Sequence, residues 1–261
     1  VPAGGDQPSI VIGKGSQGTG DLTNGISMAP GALIYTKQSI AIGYRSQATG
    51  VVNSKTDIQP AVALGAGADA NGAGAVSIGF TPEAHGNNAI SIGSNTKANA
   101  TGAIGLGKDV TASGSDSVSL GTSANASGSN SVSLGISANA TDSGSIAIGQ
   151  ISESTDTNSV ALGYKSKAKG ASATAIGPQT EATKISAVAV GRGATATENY
   201  AVAIGDSASA TITNGVALGY KSKTTTASGV VGYDVNANRT NKYAGLTGNT
   251  LTSTLGAVSI R

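Results

Sequence analysis

The sequence predicts an all-β solenoid of 14-residue repeats, and three observations predict it. A glycine closes each small-aliphatic-small-aliphatic-Gly block, and from Gly65 to Gly219 this marker glycine recurs at every fourteenth position. Residues within a block alternate between two kinds, which is typical of β-strands because successive side chains point to opposite faces. Only 7 Tyr, 1 Phe and no Trp are present among 261 residues, whereas Gly supplies 39. A conventional globular core is therefore not expected, and regular stacking of small units is.

The repeat also predicts the domain organisation. We expect one β-roll over residues 1–232, with irregular insertions near 14–64, where the marker spacing loosens. Residues 233–256 contain no repeat and are expected to form an inserted loop. A repeat strand resumes over 257–261 and the chain stops inside the motif, which suggests a fragment of a longer protein.

Each unit has room for two strands joined by glycine-rich corners. In the second strand the inward positions are small, as at Ala124, Ala126, Ala138 and Ala140. In the first strand we expect the aliphatic residues to point inward and to meet those alanines. These residues are Val118, Leu120, Val132, Leu134, Ile146, Ile148, Val160 and Leu162.

The other face of the first strand carries Ala, Ser and Gly, and no charge in any regular unit. A solvated sheet face normally collects Lys and Glu, so an uncharged strip indicates packing against a close neighbour. Self-association around an axis is the simplest such arrangement. The resulting interface candidates are Ser119, Ser133, Ala147, Ala161, Ala175, Ala189 and Ala203.

Two stretches, NSVALGYKS at 158–166 and NSVSLGIS at 130–137, resemble the NSVAIGxxS unit of the YadA-like head in trimeric autotransporter adhesins. Near matches recur over residues 9–232, although Leu often replaces Ile, and Thr174 and Gly229 interrupt aliphatic positions. The resemblance implies a left-handed parallel β-roll, assembled as a parallel homotrimer at the tip of a surface fibre.

The same resemblance implies cell adhesion as the function, with a role in virulence. The head would attach to collagen, fibronectin or laminin of the host matrix, or to host cells, through its repeated exposed strands. The alternative is a passive spacer in a surface fibre, with ligand binding carried by other domains. The implied location is the bacterial cell surface, with a C-terminal outer-membrane anchor absent from this fragment.

Other classes of function find little support in the composition. A net charge of +2 gives no bias toward nucleic acid, and no stretch approaches the ~20 apolar residues of a spanning helix, so direct membrane insertion is not expected. No enzyme, cofactor or metal site is expected, because no nucleophile arrangement surrounds the single His85 and the carboxylates are scattered. An ice-binding solenoid ranks third, since the threonine row at Thr195 and Thr197 does not continue into neighbouring units.

Candidate ligand-binding residues lie mainly on the second strands. Lys165, Lys167 and Lys169 alternate along one strand, and we expect them to face outward together and to attract acidic matrix segments or anionic glycans. The alternative is that these lysines form an ordinary solvent-exposed face without a ligand. The alternative for the tyrosines that follow marker glycines is that each covers a corner of the coil while its hydroxyl stays hydrated. The remaining candidates are Lys221, Lys223, Tyr164, Tyr220, Asn158 and Ser159.

Overall fold

The computed structural model describes residues 10–18, 25–52, 58–224 and 258–260, and the residues described form strands and turns without a helix. The chain divides into two compact units, Val1–Ile151 and Ser152–Arg261. Within each unit, successive coils contribute one strand to a first sheet and one to a second sheet. The prediction of an all-β parallel solenoid is confirmed.

In the unit Val1–Ile151 both sheets are parallel. The first sheet contains β1 Ile10–Ile12, β3 Ile26–Met28, β5 Ile40–Ile42, β9 Val62–Leu64, β11 Val76–Phe80, β13 Ile90–Ser94, β15 Ile104–Lys108, β17 Val118–Thr122, β19 Val132–Leu134 and β21 Ile146–Ile148, paired in that order. The second contains β2 Gln17–Gly18, β4 Leu33–Ile34, β6 Gln47–Ala48, β10 Asp69–Ala70, β12 Glu83–Ala84, β14 Lys97–Ala98, β16 Thr111–Ala112, β18 Asn125–Ala126 and β20 Asn139–Ala140.

In the unit Ser152–Arg261 the same pattern continues with fewer coils. The first sheet contains β23 Val160–Leu162, β25 Thr174–Ile176, β27 Val188–Val190, β29 Val202–Ile204, β31 Val216–Leu218 and β32 Val258–Ile260. The second contains β22 Glu153–Ser154, β24 Lys167–Ala168, β26 Glu181–Ala182, β28 Thr195–Ala196 and β30 Ser209–Ala210. Strand β32 pairs in parallel with β31, whereas residues 233–256, expected to form an inserted loop, lie outside the described residues.

The coil near residue 26 was not predicted from the sequence. Strand β3 pairs with β5 at a spacing of fourteen, with Ile26 opposite Ile40, so a full coil occupies a region expected to be irregular. Its marker position holds Ala29 instead of glycine, with a φ of 102°, which hid the repeat. A true insertion follows, where β7 Val51–Val52 and β8 Ile58–Gln59 form an antiparallel pair.

The predicted facing of the first strand is wrong. The small residues that we expected on the outer surface are completely buried within the single chain, and the aliphatic residues face out, with Val118 37%, Leu134 38% and Leu162 41% exposed. Buried small residues do not offer a surface to another chain. The prediction that this set forms the interface between chains is therefore also wrong. The set is Ser119, Ser133, Ala147, Ala161, Ala175, Ala189 and Ala203.

The reason is the narrow interior of the coil. The hydroxyl of Ser77 in the first sheet donates a 2.8 Å hydrogen bond to the carbonyl of Pro82, which leads into the second sheet. Ser91 donates to the carbonyl of Thr96 in the same way at 2.8 Å. A serine side chain thus spans the gap between the sheets, so the inward position of the first strand is small, and the largest fully buried side chains of the described residues, Ile34 and Val110, lie outside the first strands.

The inward positions of the second strand were predicted correctly. Ala126, Ala140 and Ala168 are fully buried, and alanine therefore meets alanine or serine across the interior. Each marker glycine permits the close stacking of successive turns. Gly107 has a φ of +138°, and a Cβ placed there would lie 1.8 Å from the carbonyl oxygen of Gly121 in the next coil.

Candidate functional site

The outer side of the first sheet is apolar in both units, and we call it the aliphatic face. Each described coil contributes two residues to it, and from strand β3 onward these lie on either side of a buried Ala, Ser or Gly. None of the members whose side chains are described carries a charge, and only Thr174 departs from an aliphatic or Met side chain. In the first unit they are Ile10, Ile12, Ile26, Met28, Ile40, Ile42, Val62, Leu64, Val76, Ile78, Ile90, Ile92, Ile104, Leu106, Val118, Leu120, Val132, Leu134, Ile146 and Ile148. In the second they are Val160, Leu162, Thr174, Ile176, Val188, Val190, Val202, Ile204, Val216 and Leu218.

A contiguous surface of this kind favours association, because hydrating exposed apolar side chains is unfavourable. In the second unit Ile204 is 39% exposed and Leu218 is 40% exposed. The contribution of this face was missed because the aliphatic residues had been assigned to the core. The remaining surface of each unit is the second sheet and the two rows of turns.

The outer side of the second sheet is polar, with opposite charges on neighbouring strands. Lys97 Nζ lies 3.6 Å from a carboxylate oxygen of Glu83. Lys167 stands in register between Glu153 on one neighbouring strand and Glu181 on the other. Local pairing of this sort balances the charge of the face.

The predicted row of lysines is divided between this sheet and the adjacent turn. Lys167 lies on β24, and Lys169 makes a 3.0 Å ion pair with Glu153. Lys165 instead lies in the turn before the strand, with a φ of 54°. Lys221 occupies the equivalent turn position, with a φ of 53°. The backbone of Lys223 instead forms a parallel β-bridge with that of Ser209. Glu153 therefore offsets Lys169 and stands in register with Lys167, whereas Lys165 and Lys221 lie apart in the turns.

A four-residue turn with the sequence Gly-Tyr-Lys/Arg-Ser occurs three times, at 43–46, 163–166 and 219–222. In each, the serine hydroxyl donates to the carbonyl of the glycine, at 3.0, 3.0 and 3.1 Å, and fixes the turn. The cation lies over the ring of the preceding tyrosine, at 5.2 Å for Lys165 on Tyr164 and 5.0 Å for Lys221 on Tyr220.

The tyrosine rings of these turns remain accessible. Tyr164 is 43% exposed, and Tyr44 and Tyr220 are each 59% exposed. Arg45 lies 5.8 Å from the centroid of the Tyr44 ring. The turn therefore presents an aromatic ring together with a positive charge.

An ion pair occupies the same row of turns in the second unit. Arg192 donates from Nε and Nη2 to one oxygen of Asp206, at 2.9 and 2.6 Å. The hydroxyl of Ser207 donates to the other oxygen, and these hydrogen bonds, Ser207 first and Arg192 second, lower the pKa of Asp206. The hydrogen bond to Asp206 raises the pKa of Arg192 in turn. Sequence reasoning missed this pair, although the two residues occupy the same position in successive repeats.

Asn158 and Ser159, which we had considered as ligand contacts, have structural explanations. Asn158 is exposed with a φ of 55°, a conformation that Asn tolerates better than most residues. Ser159 is fully buried, and its hydroxyl donates to the carbonyl of Asp156 at 2.6 Å. Ser159 is thus inaccessible to a ligand, and the prediction for it is wrong.

His85 lies on the surface, as expected, with Nε2 3.1 Å from an oxygen of Asp69. Among the described residues, no three His, Asp or Glu side chains are grouped so that they could hold a metal ion. No helix in the part of the chain that the structure describes has the length and hydropathy of a membrane span.

Comparison with known proteins gives one family. The profile described as YadA head domain repeat (2 copies) matches residues 37–54, 59–80, 84–108, 112–135, 126–150, 155–180, 182–208 and 199–222. These segments include more than half of the chain. The chain belongs to the YadA head repeat family. The resemblance carried by the NSVALG-type units is thereby confirmed.

No curated protein sequence matches the chain. Among solved structures, the collagen-binding domain of the Yersinia adhesin YadA is similar at 23% identity, with 71% of this chain and 81% of that chain covered and a TM-score of 0.26. YadA head repeats belong to adhesins, a non-enzymatic kind of protein.

Proposed function

We propose that this chain is the head of a trimeric bacterial surface adhesin, displayed outside the outer membrane, that attaches the cell to host extracellular matrix. Membership of the YadA head repeat family supports the adhesin role. The uncharged aliphatic face supports the assembly, because copies of the chain packed around an axis would remove that face from water. The threefold order rests on the family resemblance.

The observation that carries the proposal is the contrast between the faces of each unit. Leu134 and Leu162 are 38% and 41% exposed on a face without charge. The second sheet, by contrast, carries Glu83, Lys97 and their neighbours as ion pairs. In the proposed assembly the aliphatic face turns toward the axis, and the second sheet and the turns remain available to ligands.

The direct test is solid-phase binding of the purified head to immobilised collagen, fibronectin and laminin, with albumin as the negative surface. We expect saturable binding to at least one matrix protein. The double variant Leu134→Lys/Leu162→Lys should bind more weakly, because loss of assembly removes avidity. Absence of binding to all three proteins would favour the passive spacer instead.

A further inference from the structure

One row of turns in the unit Ser152–Arg261 concentrates positive charge and aromatic surface. It is the row that follows the marker glycines, and we call it the basic edge. Its ten described positions are Tyr164, Lys165, Pro178, Gln179, Arg192, Gly193, Asp206, Ser207, Tyr220 and Lys221. Three are cations and one is a carboxylate, so the edge has a net charge of +2.

We propose that the basic edge binds a linear acidic polysaccharide that carries sulfate or carboxylate groups. This inference adds a class of ligand to the proposed function. It rests on that function only for the assumption that the head is displayed on a cell surface. The edge differs from the second sheet of the same unit, where Lys169 is ion-paired with Glu153 and Lys167 stands in register between Glu153 and Glu181. Lys165 has no such carboxylate partner and is held over an exposed ring.

The turn geometry is the same along the basic edge. Lys165 and Lys221 adopt φ values of 54° and 53°, and Gln179 and Ser207 in the coils between them adopt 57° and 56°. Because this left-handed conformation recurs whichever residue is present, the basic edge is distinguished by its residue types and not by its backbone.

The spacing along the edge suits an extended ligand. Tyr164 and Tyr220 are four coils apart, which at one strand spacing per coil is about 19 Å. Arg192 lies midway between them, two coils from each. A polysaccharide lying along the coils would thus meet a ring and a cation at each end, and in the middle Arg192, whose guanidinium it would share with Asp206.

The chemistry of the two groups matches an acidic sugar chain. The face of a tyrosine ring is electronegative and attracts the C–H groups of a pyranose, while its hydroxyl stays hydrated. Lys and Arg donate charge-assisted hydrogen bonds to sulfate and carboxylate oxygens. A nucleic acid strand fits less well, since it needs stacking of successive bases, whereas Tyr164 and Tyr220 are four coils apart.

The test measures binding of the oligomeric head to heparin, hyaluronan and uncharged dextran by surface plasmon resonance, with a single-stranded DNA oligomer as a second polyanion. We expect binding to heparin or hyaluronan, none to dextran, and weaker binding to DNA. The variant Lys165→Gln/Arg192→Gln/Lys221→Gln should lose about tenfold or more in affinity. The matched control Lys167→Gln/Lys169→Gln/Lys223→Gln removes the same charge from the second sheet and should change affinity by about twofold or less.

A double variant of the two tyrosines separates recognition by the rings from the effect of net charge. Tyr164→Ala/Tyr220→Ala leaves every charge in place and should lower affinity roughly two- to fivefold for each ring. Equal losses in the two lysine-containing triple variants, or no loss in the tyrosine variant, would overturn the proposal. Tighter binding to the DNA oligomer than to heparin and hyaluronan would also overturn the proposal. Far-UV circular dichroism and thermal unfolding of each variant verify that the fold is intact.

The outcome separates the inference from the proposed function. Polysaccharide binding that depends on the basic edge, without binding to any matrix protein, would support the inference and contradict matrix attachment. Matrix binding that survives in the edge variants, without polysaccharide binding, would do the reverse. Lipopolysaccharide as an additional arm identifies whether the acidic saccharide comes from a bacterial surface or from the host.

Discussion

The hydroxyl of Ser133 donates a 2.8 Å hydrogen bond to the carbonyl oxygen of Ala138, across the interior of one coil. Ser133 lies in the first sheet, and Ala138 precedes the second. Because one serine side chain closes the gap between the two layers, a residue at this first-sheet position must be small. The aliphatic residues on either side of Ser133 are consequently turned outward, where they form the aliphatic face.

Replacement of two neighbouring serines should have opposite effects. Ser119 and Ser133 are opposite each other in adjacent strands and both are fully buried, yet the hydroxyl of Ser119 has no hydrogen-bond partner. We expect Ser133→Ala to lower the free energy of unfolding by about 1 kcal/mol and Ser119→Ala to leave it unchanged or raise it by up to about 1 kcal/mol. Urea denaturation of both variants measures this, and equal destabilisation would mean that Ser119 is bonded in solution.

Restoring the missing marker glycine should stabilise the protein. Ala29 has a φ of 102°, whereas its counterparts in the regular coils are glycines, such as Gly65 at 128°. We expect Ala29→Gly to raise the free energy of unfolding by about 1 kcal/mol, since the relief of strain exceeds the added freedom of the unfolded chain. In the control Ala41→Gly, at a buried strand position, the same chemical change should destabilise. A lower melting temperature for Ala29→Gly would refute the explanation.

Two glycines of the turns should respond differently to substitution. Gly107→Ala places a Cβ 1.8 Å from the carbonyl oxygen of Gly121 and should cost on the order of 3 kcal/mol or more. Gly193 has a φ of 63°, and the nearest atom to its added Cβ lies 3.9 Å away. Gly193→Asn should therefore cost less than about 1 kcal/mol. Similar melting temperatures for the two variants would contradict this assignment.

The carboxyl of Asp206 should titrate below its ordinary pKa of 3.8. Because its folded pKa is lowered, the associated stability is present above the unfolded value and is lost as pH falls through the folded one. Ser207→Ala and Arg192→Gln should each raise the pKa of Asp206, since the hydrogen bonds from Ser207 and Arg192 are the two largest causes of the shift. Carbon-13 NMR titration of the carboxyl checks this, and an unchanged pKa in either variant would contradict it. The effect on stability should be small, because the pair is exposed.

The sequence allowed the repeat, the two strands per coil and the small interior of the second strand to be predicted. These features follow from a period of two within a period of fourteen, both of which are visible in the order of residues. The facing of the first strand was predicted wrongly, because large aliphatic residues usually lie inside. Alternation alone does not decide which face is buried, and the width of the interior depends on the turns.

A signal for the correct facing was nevertheless present. From Ser27 to Ala217, the position that holds Ser119 and Ser133 holds only Ala, Ser or Gly. A close-packed interior requires small residues as strongly as an intermolecular contact does. The basic edge was harder to predict, because Lys165 follows the strand alternation in sequence and departs from it only through the φ of 54° in the turn. The ion pair of Arg192 with Asp206 depends on the stacking of coils fourteen residues apart.

The oligomeric mass of the head, measured by light scattering after size-exclusion chromatography, tests most directly whether the aliphatic face assembles the protein. We expect the parent chain to have three times its mass of 25.0 kDa, and Leu134→Lys/Leu162→Lys to have the mass of one chain, because unpaired charges would be forced into an apolar contact. The control Asn139→Lys/Thr195→Lys, on the outer side of the second sheet, should remain trimeric. A single-chain mass for the parent, or an unchanged trimer in the leucine variant with its strand content intact, would contradict the account.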